Sequence, residues 1–466
     1  MYNITGLNVC NVEVMLSHPG VNDQVLVQVW LPLQGWNGRF QGTGGGGWAA
    51  GAGSLGLAPA AAQGYAAVTT DAGTSNNVAD PSAWALTSAG TVNWGLLTNF
   101  ASRSLHDMTV VGKAVTTQYY GKAPSYSYFN GCSTGGRQGL MMAQAYPTDY
   151  NGIIAASPAI NWPSFIVAMQ WPQVIMEQEG TFPTQCIFNT FTADAISQCD
   201  MLDGVKDGII SDPATCPFDP YKLVGTTVSC DGGQVTITQN MANIVSKTYN
   251  GPTNTLGQRL WYGLNIGAPF NGNALTGPGP TGATVGYPMP ISDSWIRYYI
   301  ETNPNFNTST ITYPGYTQIF SQSNTEYESI IGTNNPNLSA FNNAGGKMIS
   351  WHGLADPLIF PNGTLNYYQQ VDSMMGGVSA VEKFYRLFFA PGANHCGLGG
   401  PWPQDALSSL VAWVENGKAP QTLPASTVDA SGATWTKNLC LYPLVARYNG
   451  NGDPHSAASY SCACSY

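Results

Sequence analysis

Charge is what this chain has least of. Only 9% of its 466 residues are Asp, Glu, Lys or Arg, against roughly 25% in an average soluble domain. The little charge present is acidic on balance, with a formal net of -10 at pH 7. Such a surface repels a polyanion, which excludes nucleic acid as a partner. No apolar run reaches the roughly 18 residues that a membrane span needs, so the chain is not read as a membrane protein. The cysteines form no paired CxxC pattern of the kind that cages zinc. Histidine is scarce: five residues, at 18, 106, 352, 395 and 455, are the whole stock for imidazole chemistry.

What is present sets other bounds. Hydrophobic residues make up 43% of the chain, enough for a sizeable core. The ten cysteines stand at 10, 132, 186, 199, 216, 230, 396, 440, 462 and 464. An even number in a chain of low charge favours disulfides and an oxidising compartment. Four N-x-S/T acceptors, Asn3, Asn307, Asn337 and Asn362, agree with a secreted, extracellular glycoprotein. Met1 leads straight into a polar segment rather than a secretory leader, so the chain reads as a processed or shortened form.

Strand and helix patterns alternate through the first third. Strands are expected at V25LVQVWLP, before the glycine-rich loop at Phe40–Gly51, at Y65AAVTTDAG, at S125YSYFNG and at N151GIIAASPA. Helices are expected from about His106 to Tyr120 and from Gly135 to Tyr146. This rhythm implies an α/β fold with a mostly parallel sheet covered on both faces. It fails between residues 163 and 340, then resumes at K347MISWHG, at F384YRLFFAPGANH and in a helix from Gln404 to Asn416. Residues 1–162 and 341–466 therefore form one catalytic domain, and 163–340 an inserted lid.

The chemistry centres on F129-N-G-C-S-T-G-G-R. A strand runs into Ser133 and a helix follows, with Gly131 and Gly135 two positions to either side. That is the context of a nucleophile elbow, which lifts a serine hydroxyl above the sheet edge. In a chain with 54 glycines the pattern by itself also fits an ordinary glycine turn; the flanking elements distinguish the two. A serine nucleophile needs a base, and the base an orienting carboxylate. The order Ser, acid, His selects Asp356, in W351HGLADP, and His395, in G392ANHCG, each just past an expected strand. His352 is the rival base or a pocket-lining residue. For the oxyanion hole the expected donors are the N–H of Thr134 and one from the Gly44–Gly47 loop, with Gly45 and Gly46 as candidates.

Cys132 precedes the expected nucleophile and Cys396 follows the expected base. If Ser133 and His395 are neighbours, these cysteines are close enough to bond; the alternative is that one is a buried structural cysteine. C199DMLDGVKDGIISDP carries carboxylates at short intervals with a glycine for the bend. It reads either as a calcium loop, with Asp200, Asp203 and Asp207 side chains and the carbonyls of Val205 and Ile209, or as a solvated acidic turn. Its distance from Ser133 in sequence makes any such ion structural.

G131-C-S-T-G-G-R137, Asp356 in H-G-x-x-D, and His395-Cys396 together resemble the tannase and feruloyl esterase family. Within it, the length and low charge are most similar to fungal feruloyl esterases of the B type. The resemblance spans nearly the whole chain. It implies an α/β-hydrolase fold with a large inserted lid, a disulfide between Cys132 and Cys396, a lid-bound Ca2+ on Asp200, Asp203, Val205, Asp207 and Ile209, and a lid disulfide between Cys199 and Cys216. Members usually carry a further N-terminal segment with cysteines, which leaves the partner of Cys10 open. The implied activity is a secreted serine esterase cleaving hydroxycinnamoyl, above all feruloyl, esters of plant cell-wall polysaccharide. Its partners are then small phenolic esters or feruloylated polysaccharide. Galloyl esters of tannins are the alternative substrate, terephthalate monoesters a third. From another class, a catalytically inactive carbohydrate- or polyphenol-binding protein is the alternative; an intact Ser–Asp–His set argues against it.

Overall fold

The computed structural model describes residues 4–429 and 431–464. An eight-stranded sheet carries the structure, in the order β1-β2-β4-β3-β5-β6-β11-β12. Its strands are β1 (Val9–Leu16), β2 (Val25–Pro32), β3 (Arg39–Thr43), β4 (Ala66–Thr70), β5 (Tyr126–Cys132), β6 (Gly152–Ala156), β11 (Lys347–Gly353) and β12 (Tyr385–Ala390). β1 and β2 form an antiparallel edge, and β2 meets β4 antiparallel. From β4 onward every neighbour is parallel. β1 adds a strand before Val25, the first expected from sequence; as an edge strand it buries its side chains only in part.

The two-residue period of the strands separates two cores. Val27, Val29, Val68, Phe129, Ile153, Met348 and Leu387 point to one face. Helices α2 (Trp94–Thr98), α3 (Ser104–Tyr120), α4 (Thr134–Ala145), α12 (Pro361–Met375) and α13 (Val378–Val381) belong to the crossovers; Leu105, Met108, Leu140, Tyr367 and Val371 pack on that face. Tyr128, Ile154, Ile349, Trp351 and Phe388 point to the other, under α1 (Ser54–Ala62) and α14 (Ala406–Asn416) through Leu57, Leu410 and Trp413. Near-continuous apolar strands are what a parallel sheet buried on both faces requires.

The chain leaves the sheet after β6 and returns at β11. Between them lie α5 (Trp162–Ala168), α6 (Trp171–Glu179), α7 (Gln185–Cys199), α8 (Gln239–Asn250), α9 (Pro290–Ser294), α10 (Tyr313–Ile331) and α11 (Ser339–Asn343). Two small hairpins complete this insertion, β7 (Thr227–Cys230) with β8 (Gly233–Thr236) and β9 (Leu275–Pro278) with β10 (Thr284–Tyr287). It is not a loosely tethered flap. Trp48, just past the four glycines, is fully buried among Trp84, Phe100, Trp162, Trp295 and Tyr299, and its indole donates to Ser294 Oγ at 2.9 Å. The tail adds hairpins β13 (Thr422–Val428) with β14 (Thr434–Cys440) and β15 (Leu444–Tyr448) with β16 (Tyr460–Cys464).

Four disulfides form: Cys132–Cys396, Cys186–Cys230, Cys199–Cys216 and Cys440–Cys462. Among the described residues Cys10 and Cys464 are unpaired. Of the expected glycan acceptors, Asn3 lies outside the described residues, and Asn307 and Asn337 are exposed. Asn362 differs: its Nδ2, the atom a glycan would occupy, donates to Asn265 Oδ1 at 3.0 Å across to the lid.

Candidate active site

β5 delivers Ser133 at the middle of the sheet, and α4 starts at the next residue. Ser133 has φ +64° and ψ -125°, the strained left-handed turn of a nucleophile elbow. The turn is over-determined. Ser133 N–H donates to Ala156 O at 3.0 Å, and its carbonyl accepts from Arg137 N at 3.0 Å and Ala159 N at 3.1 Å. Side chains are excluded around it: a Cβ on Gly131 would fall 2.4 Å from Gly135 O, and one on Gly44 2.5 Å from Gly135 Cα. β5, α4 and the glycine-rich loop therefore touch backbone to backbone beside Ser133. Behind it, Arg137 is fully buried and donates to Ala101 O and Phe100 O at 2.8 and 3.0 Å; burial pushes its guanidinium down to about 9.

Asp356 and His395 follow β11 and β12, the next two strands beyond β6, at their carboxyl ends. His395 Nδ1–H donates to Asp356 Oδ2 at 2.7 Å. Asp356 Oδ1 accepts from the N–H groups of Leu358 and Ile359 at 2.8 and 3.0 Å. Burial works to raise this carboxyl, but the charge of His395 and the hydrogen bonds from His352 and His395 outweigh it and hold it well below the usual carboxylate range. Asp356 is fully buried, whereas the His395 side chain is 16% exposed, at the wall of a cleft that Ser133 also lines. The Cys132–Cys396 disulfide, with its Cα atoms 5.8 Å apart, ties their two loops together. Among the described residues the Ser133 hydroxyl makes no hydrogen bond to His395; such contacts commonly tighten only around a bound substrate.

His352 is neither a base nor a pocket residue. It is fully buried, with its Nε2 3.0 Å from Asp356 Oδ2 and its Nδ1 2.9 Å from Thr364 Oγ1. The glycine donors also need correction. The Gly45 N–H donates to Gln138 Oε1 at 3.0 Å and the Gly46 N–H to Ala49 O at 3.1 Å, so both are already engaged. Among the described residues no acceptor is taken by the N–H of Thr134 or Gly47. Thr134 Oγ1 donates to Gly47 O at 2.7 Å and Gly135 N to Gly45 O at 3.0 Å, so the loop is lashed to the start of α4. Gln138, whose Nε2 also donates to Ala50 O at 2.8 Å, shapes that loop. Nothing in the sequence singles it out: α4 also carries Thr134, Arg137 and a second amide, Gln144.

The cleft has a volume of about 1030 Å³. Ser133, His395 and the glycine-rich loop line it together with Leu358, Met289, Pro290, Ile291, Leu55, Trp402 and Leu407. Among the described residues the lining side chains of charge-bearing type are His395 and Asp405, and Asp405 spends one oxygen capping α14 through Ser408 N at 3.0 Å. Its lid residues lie more than 150 positions from Ser133 in sequence, beyond what a local pattern reveals.

The acidic loop lies between α7 and the Cys199–Cys216 bond. Asp200, Asp203 and Asp207 are all buried, as are Val205 and Ile209. Asp200 Oδ1 accepts from Asp207 N and Gly208 N, both at 3.0 Å. Asp207 Oδ2 faces Lys437 Nζ at 3.2 Å and Tyr460 OH at 3.1 Å, neither expected from sequence. Among the described residues no three acidic, histidine or cysteine side chains are gathered into a ready-made metal cage.

A nucleophile elbow over a mixed sheet, a buried carboxylate on an imidazole, and an apolar cleft under a lid define the class: a carboxylic ester hydrolase of the α/β-hydrolase fold. The comparisons narrow it. The chain belongs to the tannase and feruloyl esterase family, whose profile matches residues 10–463. It is 51% identical to a probable feruloyl esterase of Arthroderma benhamiae over 98% of this chain and 86% of that one. It is 31% identical to feruloyl esterase B of Aspergillus niger over 98% and 87%. Among solved structures it is similar to the tannin acyl hydrolase of Aspergillus niger (TM-score 0.89, 28% identity, 98% and 87% covered). Feruloyl esterase B of Aspergillus oryzae is likewise similar (TM-score 0.84, 29% identity, 98% and 90% covered).

Proposed function

We propose that Ser133, His395 and Asp356 hydrolyse feruloyl and related hydroxycinnamoyl esters of plant cell-wall polysaccharide through an acyl-enzyme, outside the cell. The observation that carries the mechanism is His395 Nδ1 bonded to the buried Asp356 at 2.7 Å in the cleft that Ser133 lines. That bond fixes the hydrogen on Nδ1 and leaves Nε2 to take the Ser133 proton. Ser133 Oγ then attacks the ester carbonyl. The oxyanion rests on the Thr134 N–H and a glycine-loop amide, with Gly47 the one not already engaged. His395 returns its proton to the departing alcohol, and water, activated by the same Nε2, releases the phenolic acid. Disulfides and exposed Asn-x-Ser/Thr sites support the extracellular setting.

The cleft supports a feruloyl over a galloyl ring. Gallate presents three hydroxyls that must be paired once buried. Leu358, Met289 and Ile291 offer apolar contact suited to a ring with one hydroxyl and a methoxy group, while Asn76, Asn130 and Gln404 are among the polar side chains that also line the cleft. A panel of methyl ferulate, p-coumarate, sinapate and gallate tests this. Ferulate is expected to exceed gallate in kcat/KM by about 10-fold or more. A gallate preference would sink the substrate reading and leave the mechanism standing.

Calcium belongs to the same proposal. Three buried carboxylates against one buried ammonium, that of Lys437, leave the lid loop short of positive charge, and a hard divalent cation on oxygen ligands answers that. Asp200, Asp203 and Asp207, with the carbonyls of Val205 and Ile209, would hold it; its part is structural. Chelation is expected to lower Tm by several degrees, and Ca2+ at about 100 times its Kd to return roughly 2.7 kcal/mol. A Tm indifferent to chelator, with no calcium in the protein by elemental analysis, would remove the site.

A further inference from the structure

Asp356 Oδ2 accepts from two imidazoles, not one. Besides His395, the ring of His352 approaches it through Nε2 at 3.0 Å. The same Nε2 lies 3.0 Å from the carbonyl of Ile359. Both groups are acceptors, so Nε2 carries the hydrogen. Nδ1 then accepts from the Thr364 hydroxyl at 2.9 Å. Neither His352 nor Thr364 lines the cleft, and both are buried.

These contacts close a ring. Ile359 N–H donates to Asp356 Oδ1 while Ile359 O accepts from His352, and His352 returns to Asp356 Oδ2. The strand end of β11, the acid loop and the first turn of α12 are thereby tied at the carboxylate. We propose that His352 is a positioning residue for the hydrolysis: its Nε2–H fixes the Asp356 carboxylate and shares the oxygen that orients His395. This rests on the Ser133–His395–Asp356 reading above.

Two consequences follow from charge. A second N–H on Oδ2 holds the carboxylate in the plane that suits His395, which matters where about 1 Å of error costs roughly 100-fold in rate. It also draws negative charge from the oxygen facing His395. Among the described residues the titratable side chains hydrogen-bonded to Asp356 are His395 and His352. Without His352, therefore, the charge of the carboxylate bears on His395 alone.

The test is steady-state kinetics across pH on His352→Leu, His352→Gln and Thr364→Val, with Tm recorded for each. His352→Leu is expected to lose kcat about 10- to 100-fold with KM nearly unchanged. The acid limb of its kcat/KM profile should move to higher pH. His352→Gln, which restores an N–H donor, should recover to within about 3-fold of the parent, and Thr364→Val, which frees the ring, should shift the limb in the same direction by less. A folded His352→Leu with parental kcat and an unmoved limb overturns the proposal, as does His352→Gln no better than His352→Leu. If His352→Leu fails to fold, Thr364→Val decides, and parental kcat with an unmoved limb again overturns it. Asp356→Asn separates the two levels: it should lose about 10⁴-fold, and near-normal activity there would sink the triad reading itself.

Discussion

Ser133→Ala should fold normally and lose kcat on methyl ferulate by on the order of 10⁵- to 10⁶-fold. The loss is large because the other parts act only through the hydroxyl. Without the hydroxyl His395 is left to activate water, a far poorer nucleophile than a positioned serine, and oxyanion donors stabilise only what a nucleophile creates. Stability should hardly change, since among the described residues the Ser133 side chain makes no hydrogen bond that alanine would lose. Its backbone offers a sharper check. At φ +64° a non-glycine residue costs about 1–3 kcal/mol, so Ser133→Gly should be equally inactive yet more stable than Ser133→Ala by about 1 kcal/mol. A fluorophosphonate probe should label the parent and neither variant. Residual turnover within about 10-fold of the parent, or labelling that survives the substitution, would show that another nucleophile does the work. A parent that folds yet takes no label would support an inert binding protein.

Much of this site is legible in sequence because its parts are local. The elbow needs small residues within a few positions of Ser133, and Gly131 and Gly135 supply them where a Cβ would strike backbone. Parallel strands buried on both faces are short apolar runs, so β5, β6, β11 and β12 stand out, and Ser133, Asp356 and His395 each follow one. β1 escapes that signal because an edge strand with half-buried side chains mixes Asn and Glu among its valines. The role of His352 escapes it too. H-G-x-x-D places a histidine four residues before the acid, but only the turn after β11 folds that ring onto Asp356 Oδ2. The glycine loop shows the limit of composition: four consecutive glycines mark close backbone approach, while the engagement of Gly45 depends on Gln138, 93 positions away.

Removing the Cys132–Cys396 bond should cost both stability and rate, and the second loss distinguishes it from the other disulfides. It closes a separation of 264 residues, the longest of the four, and spans the entire lid. Chain entropy sets the stability loss for Cys132→Ala with Cys396→Ala at about 5 kcal/mol as an upper value, with about 2–4 kcal/mol typical of native bridges. The rate argument is geometric. Ser133 sits on a strained turn at the end of β5, and His395 sits in a loop whose next residue, Cys396, also has positive φ, +58°. Asp356 orients the imidazole ring, but it grips His395 from the side away from the nucleophile. The sulfur bridge is a covalent link between the loops of the two reacting residues, its Cα atoms 5.8 Å apart. Release of either loop by about 1 Å predicts a fall of roughly 100-fold in kcat at temperatures where the variant is still folded. Cys440→Ala with Cys462→Ala is the matched control: that bridge joins the tail hairpins, so Tm should fall while kcat stays near the parent value. Equal kcat in the two double variants, each assayed well below its own Tm, would reduce Cys132–Cys396 to a stabilising staple and leave the Ser–His geometry to the packing of the sheet alone.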